Sequence, residues 1–335
     1  MTVLPSPLVD RFGRQVSYLR LSVTDRCDFR CVYCMAEDMQ FVPKPQILSL
    51  EELAQVAGAF VGLGVRKVRI TGGEPLVRNG VLQLLRQLGG MSGLDDLAIT
   101  TNGSRLQDMA ADLREAGVSR VNISLDSLQH ARFRELTRHG DVNRVIAGID
   151  AACRAGFRRI RLNAVILRGR NEDEVIDLVR FACDRDIDIA FIEEMPLGSI
   201  SEHSRQLSHI SSAELQRIIA RDFALESLGD PEGSAGPARD YRIIGRKSRV
   251  GFISPHSNNF CHLCNRVRVT AEGRLLLCLG NEHSVDLRAV LRSENASAET
   301  LRASIAAAMA LKPEKHHFSH SDEPDILRFM SATGG

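Results

Sequence analysis

The sequence predicts an α/β fold: six strand–helix units forming a partial barrel of the (β/α)6 TIM-like kind, followed by a C-terminal extension of different rhythm. Three observations predict it. From about residue 19 to 198, short β-branched or apolar runs alternate with amphipathic helical patterns, which implies a parallel sheet. Nearly every unusual polar motif stands just after one of those runs. The chain has 335 residues, 44% of them hydrophobic, enough for one large core or a large one and a small one.

The elements follow in order. The first strand is Leu19–Val23, and a loop holding Cys27, Cys31 and Cys34 comes after it. A helix starts from Ser49, where Glu52 completes a capping box; Leu50, Leu53, Ala57, Phe60 and Val61 share one face, and Gly62 or Gly64 ends it. Strand Val65–Ile70 leads into Thr71-Gly72-Gly73-Glu74-Pro75, and strand Leu94–Thr100 into Thr101-Asn102-Gly103. A helix then runs from near Ser104 to Gly117 with Leu106, Met109, Ala110 and Leu113 inward. Strand Arg120–Leu125 leads into Asp126-Ser127, a helix spans Asn143 to Gly156, and strand Arg159–Ile166 follows. The last strand of the series, Ile187–Ile192, leads into Glu193-Glu194-Met195-Pro196.

Such a series also fits a doubly wound sheet. The polar motifs gathered after successive strands favour the barrel, because α/β barrels build their sites from the loops at the carboxyl ends of the strands. After Gly198 the rhythm changes. Residues Gly229 to Pro237 form a loop by composition, a Cys-containing segment spans Cys261–Cys278, and a helical stretch lies near Ala298–Leu311. The expected division is a barrel over residues 1–200 and an extension over 201–335.

Charge narrows the function classes. Lys and Arg number 43 against 42 Asp and Glu, a formal net charge of +1, and aromatics are 5%. That argues against a nucleic-acid partner or a membrane-surface binder, though not against a local pocket for a small anion. No apolar run approaches the roughly 20 residues of a membrane span. The N-terminal stretch lacks the basic start and apolar core of a secretory signal. The expectation is a cytoplasmic protein with reduced thiols, where clustered cysteines mean metal or catalysis.

Two cysteine sets fit that expectation. Cys27, Cys31 and Cys34 have the spacing C-x-x-x-C-x-x-C, with Tyr33 before the last. Zinc wants four ligands, and this loop has no fourth thiolate of its own. A 4Fe-4S cluster with one open iron fits better. Cys261, Cys264 and Cys278 form a second set, which reads either as another three-cysteine cluster or as a zinc site completed by His262 or His283. Arg266 and Arg268 alternate along a strand-like run and suit a phosphate or carboxylate, unless that face is merely solvated. Cys153 and Cys183 sit at helical spacing from apolar residues and read as small buried hydrophobes.

The run from Leu19 to Cys34, with Thr71-Gly72-Gly73-Glu74-Pro75, resembles the radical S-adenosylmethionine (SAM) enzymes. With Cys261–Thr270, Cys278-Leu279 and the terminal Gly334-Gly335, it resembles the MoaA-type GTP 3′,8-cyclase family of molybdenum cofactor biosynthesis. The resemblance covers nearly the whole chain. It implies a radical SAM partial barrel, two 4Fe-4S clusters, and SAM bound at the open iron of the first. GTP is implied at the second, through its guanine. It further implies a lyase reaction in which a 5′-deoxyadenosyl radical takes the ribose 3′-hydrogen of GTP and the resulting carbon radical attacks C8. The product implied is (8S)-3′,8-cyclo-7,8-dihydroguanosine 5′-triphosphate.

Residue by residue, the resemblance makes Cys27, Cys31 and Cys34 ligands of the SAM cluster and Cys261, Cys264 and Cys278 ligands of the GTP cluster. Tyr33, Gly73, Ser124 and Met195 fall where the family contacts SAM. Arg20, Arg69, Thr100, Arg161, Arg266, Val267 and Arg268 fall where it contacts GTP. Gly334 and Gly335 match a tail thought to enter the active site. The family commonly has lysine where Arg161 stands, asparagine where Asp28 stands and isoleucine where Thr333 stands. The partners implied are an electron donor of the flavodoxin or ferredoxin type and a downstream cyclic pyranopterin monophosphate synthase; a homodimer is left open.

Overall fold

A computed structural model of the chain describes residues 7–198, 200, 204–229, 238–257, 260–316, 318 and 325–334. The six predicted strands form, each within two residues of its expected ends: β1 (Tyr18–Ser22), β2 (Lys67–Thr71), β3 (Asp96–Thr101), β4 (Arg120–Ser124), β5 (Arg159–Val165) and β6 (Asp188–Ile192). The extension adds β7 (Leu225–Ser227), β8 (Ala238–Ile243), β9 (Arg249–Ile253), β10 (Arg266–Val269), β11 (Arg274–Leu276) and β12 (Ser284–Asp286). All join one sheet in the order β12-β11-β10-β1-β2-β3-β4-β5-β6-β9-β8-β7. The run from β10 through β1–β6 to β9 is parallel throughout. Antiparallel pairs finish it on both sides.

The strands alternate in the way that separates core from cavity. Leu19, Leu21, Val68, Ile70, Leu97, Ile99, Val121, Ile123 and Leu162 are buried in the main core. Their neighbours Arg20, Arg69, Thr100, Asn122, Arg161 and Asn163 line a cavity on the other face. A two-residue period on a parallel sheet covered by helices makes this division unavoidable.

The covering helices are α1 (Leu50–Gly62), α2 (Val81–Gly89), α3 (Leu106–Glu115), α4 (His130–Thr137), α5 (Val142–Ala155) and α6 (Val175–Cys183). The extension carries α7 (Arg205–Ser208), α8 (Ser212–Ile219), α9 (Leu287–Leu291), α10 (Ala298–Ala308) and α11 (Met330–Thr333). The Ser49 capping box is present, with both reciprocal bonds made. Asp141 caps α5 by accepting from the Asn143 amide, and Gly156 ends it in the left-handed region. The expected start at Ser104 is displaced to Leu106, because the Ser104 hydroxyl donates to Asp28 at 2.7 Å instead of capping a helix. Cys183 is buried in the core and Cys153 packs partly against it.

Candidate active site

A cavity of about 570 Å³ opens on the lumen face of the sheet, lined by residues of β1–β6 and of the extension. Its first wall is the loop after β1. Gly73 donates its amide to Thr24 O at 2.8 Å, and Glu74 donates to Arg26 O at 2.8 Å. A side chain cannot fit there: a Cβ on Gly73 would lie 2.4 Å from the Arg26 carbonyl oxygen. The glycines thus press the β2 turn against the cysteine loop. Glu74 locks the arrangement from below, accepting from Thr101 Oγ1 at 2.8 Å, the Asn102 amide at 2.6 Å and the Leu76 amide at 2.9 Å. Burial pushes its carboxyl up to about 7 against those bonds.

Cys27, Cys31 and Cys34 all border the cavity. Burial, the largest cause in each case, raises all three thiols above the ordinary range, Cys34 to about 12. Thiols held protonated in this way are poor nucleophiles, while a bound metal centre deprotonates its cysteine ligands outright. Donors stand ready for sulfur: Cys27 Sγ accepts from the Phe29 amide at 3.4 Å and from Asn102 Nδ2 at 3.7 Å. Tyr33 donates its hydroxyl to Asp126 Oδ2 at 2.6 Å, leaving its ring toward the cavity wall, and Asp126 accepts the Val165 amide at 2.9 Å. Burial raises Asp126 to about 6 against both bonds. Ser124 and Met195 border the same cavity.

Cys261, Cys264 and Cys278 border it as well. Here the electrostatics run the other way at one residue. Burial pushes the Cys264 thiol up, but Lys312 and Arg266 together bring it down to about 7. Lys312 is 1% exposed; its Nζ donates to the carbonyls of Arg266 and Leu277 and reaches Cys264 Sγ at 3.7 Å. Among the described residues no three His, Cys, Asp or Glu side chains converge as a single ion would require. A four-iron cluster is a larger body and takes thiolates arranged around it.

Between the cysteine sets lies a row of arginines. Strand register pairs Arg268 on β10 with Arg20 on β1, and Arg20 with Arg69 on β2. Arg69 donates to Tyr18 Oη at 2.7 Å and to Thr100 Oγ1 at 3.3 Å. Burial lowers Arg20 to about 10, with Arg69 and Arg266 adding to it. For Tyr18 burial acts upward, but Arg69, Arg20, Lys67 and Arg266 bring the phenol down to about 7. Such a concentration of buried cations calls for an anion. Arg161 borders the cavity too, but its Nη2 is 2.7 Å from Asp240 Oδ2. Val267 borders the cavity while its side chain belongs to the core, so what it offers a ligand is main chain.

The tail reaches the arginines. Gly334 O accepts from Arg20 Nη2 at 3.2 Å and from Arg268 Nη1 at 3.3 Å. Gly334 adopts φ +81°, and a Cβ there would lie 2.5 Å from Thr71 Oγ1, so both conformation and space demand glycine. Gly335 lies outside the described residues. Sequence reasoning gave no role to Lys312, Tyr18 or Asp240. Asp126 stood in a flagged strand-end motif, whereas a lone lysine after a helix carried no signal.

Comparison with known proteins adds three findings. Residues 21–182 match the model of the Radical SAM superfamily, and residues 187–318 match Molybdenum Cofactor Synthesis C. The GTP 3′,8-cyclase of Pseudomonas entomophila (strain L48) is 62% identical over 332 residues, 99% of each chain. A protein named GTP 3′,8-cyclase 2 from Pseudomonas aeruginosa is 59% identical over 331 residues, 98% of this chain and 99% of that one. Among solved structures, Streptococcus suis SuiB bound to S-adenosylmethionine superposes with a TM-score of 0.61 at 14% identity, covering 96% of this chain and 79% of that one. That likeness is one of fold.

Proposed function

The chain belongs to the GTP 3′,8-cyclase family, and on that premise we propose that it converts GTP to (8S)-3′,8-cyclo-7,8-dihydroguanosine 5′-triphosphate in the cavity described above. It is an enzyme with a radical SAM domain, a 4Fe-4S cluster and SAM. Held by Cys27, Cys31 and Cys34, such a cluster would supply the one-electron chemistry for reductive cleavage of SAM.

Everything else falls to the chain's own residues. Cys27, Cys31 and Cys34 would hold the SAM cluster, and Cys261, Cys264 and Cys278 a second 4Fe-4S cluster that receives the guanine. Tyr33, Gly73, Ser124 and Met195 would seat SAM against the first set. Arg20, Arg69, Arg266 and Arg268, with Thr100, Arg161 and the Val267 main chain, would bind GTP by charge and bidentate bonds. Gly334 and Gly335 would close the pocket against the arginines. In this reading residues 1–200 make the radical and residues 201–335 present what it attacks. An electron donor of the flavodoxin or ferredoxin type and a downstream cyclic pyranopterin monophosphate synthase would complete the setting. Among the described residues no helix is long and apolar enough to cross a membrane.

One observation carries the reading: two sets of three cysteines border a single cavity, with the Arg268–Arg20–Arg69 row in the same lining. The test is anaerobic incubation of the reconstituted protein with GTP, SAM and a reductant. The expected result is 5′-deoxyadenosine together with the cyclised nucleotide. Deoxyadenosine without a GTP-derived product would overturn the substrate assignment.

A further inference from the structure

Four acids line the cavity among the described residues: Asp126, Glu193, Glu194 and Asp240. Asp126 is held by Tyr33, Glu193 by Ser257 Oγ and the Ser212 amide, and Glu194 pairs with Arg205. Asp240 is different. Its Oδ2 accepts from Arg161 Nη2 at 2.7 Å and from Arg159 Nη2 at 3.1 Å, and both arginines line the cavity.

Asp240 reaches these arginines across two intervening strands. It pairs in register with Gly251 on β9, and Gly251 pairs with Ala190 on β6. Neither position carries more than a methyl group. A Cβ on Gly251 would lie 2.6 Å from Asp240 Oδ1, so the carboxylate rests over bare backbone. The contact is nonetheless incomplete. Asp240 Oδ1 and Arg161 Nε are buried, and among the described residues neither has a hydrogen-bond partner. Arg159 keeps a second partner, Asp188, at 2.5 Å, while Asp188 is 4.0 Å from Arg161. Release by Asp240 would leave Arg159 anchored and Arg161 open.

We propose that Asp240 is a resident stand-in for nucleotide phosphate: its carboxylate occupies Arg161 and Arg159 in the free enzyme and gives them up to the terminal phosphate of GTP. The inference rests on the reading of this cavity as a GTP site. A carboxylate and a phosphate oxygen compete for the same guanidinium donors. The acid therefore weakens GTP binding and narrows the gap between GTP and shorter nucleotides. Asp240 is a positioning residue and touches no reacting atom.

The test measures anaerobic binding of GTP, GDP and GMP to the reconstituted protein and to D240N and D240E by equilibrium dialysis. D240N keeps the shape and removes the charge to be displaced. It is expected to bind GTP about tenfold more tightly, with GMP unchanged, a steeper salt dependence, and KM for GTP lowered at constant kcat. D240E keeps the charge and is expected to bind within about threefold of the unaltered protein. Equal or weaker GTP binding by D240N, or D240E changing in step with it, would overturn the role of Asp240 and leave the GTP site standing. An unaltered protein that cleaves SAM yet binds no GTP would overturn both.

Discussion

Replacing Lys312 by methionine separates two opposed views of a buried lysine. The side chain lies against Cys264 and makes bonds to the carbonyls of Arg266 and Leu277. Met has nearly the same length and would fill the space. If the buried charge is chiefly a desolvation burden, K312M is neutral or stabilising, as can happen when a buried ion is replaced by an apolar isostere. The geometry argues otherwise, because the two carbonyls stay behind. Each loses a bond from a charged donor and is left buried, at about 1–3 kcal/mol apiece. Relief of the lysine's own desolvation offsets part of this. We therefore expect a net loss of about 2–4 kcal/mol. The assay is urea unfolding of the metal-free chain, followed by iron content after reconstitution. The midpoint should fall at unchanged slope. Iron should fall at the second cysteine set alone, because the Lys312 charge that favours the Cys264 thiolate has gone. A K312M variant that unfolds at the unaltered midpoint and loads its full iron would refute this reasoning.

Three other perturbations test separate parts. In Asp96, burial acts upward, but the bonds from Arg120 and Ser119 hold the carboxyl down at about 2. That is nearly two units below its ordinary value, worth about 1–2 kcal/mol after discounting for partial solvent screening. This stability is present above about pH 4 and is lost as pH falls through about 2, so the deficit of D96N in urea should shrink across that window; a deficit independent of pH would count against it. G334A places a Cβ 2.5 Å from Thr71 Oγ1 at φ +81°, and turnover should fall at least about a hundredfold while SAM cleavage survives; wild-type turnover would remove the tail from the site. N102A deletes the Nδ2 donor to Cys27 Sγ and should lower the midpoint potential of the first cluster in a redox titration followed by electron paramagnetic resonance, since hydrogen bonds to the sulfurs tune it; an unmoved potential would rule that bond out as a lever.

The barrel strands were legible because each carries its own period-two pattern and ends in a polar motif. The cysteine sets were legible because spacing is a local property. What the sequence did not disclose are the contacts that depend on sheet order. β9 and β10 are short, and nothing in residues 249–253 or 266–269 says that one pairs with β6 and the other with β1. That pairing puts Arg268 in line with Arg20 and brings Asp240 over Gly251 toward Arg161. Lys312 was hidden for a related reason. Lys and Pro after an apolar helix read as an exposed helix end, yet the turn at Lys312 directs the side chain under the second cysteine loop.

The distribution of acids around the arginines follows the polarity of the strands. Asp96 opens β3, where it takes Arg120, Lys67 and Arg158; Asp188 opens β6, where it takes Arg159. These pairs sit at the amino ends of parallel strands, the side of such a sheet that serves stability, while the cysteine loop after β1 sits at the carboxyl end, where α/β barrels carry chemistry. Arg20 and Arg69 sit mid-strand on β1 and β2, where the tail carbonyl of Gly334 meets Arg20; register sets Arg159 level with Arg69 and Arg161 two residues nearer the carboxyl end. A carbonyl offers only a dipole, whereas a carboxylate offers a full charge. On the proposed reading a polyphosphate would displace the weak acceptor at Arg20 and Arg268 and the charged competitor Asp240 at the arginines of β5. The lining would thus hold phosphate against two different competitors, a carbonyl dipole at Arg20 and a carboxylate at Arg161.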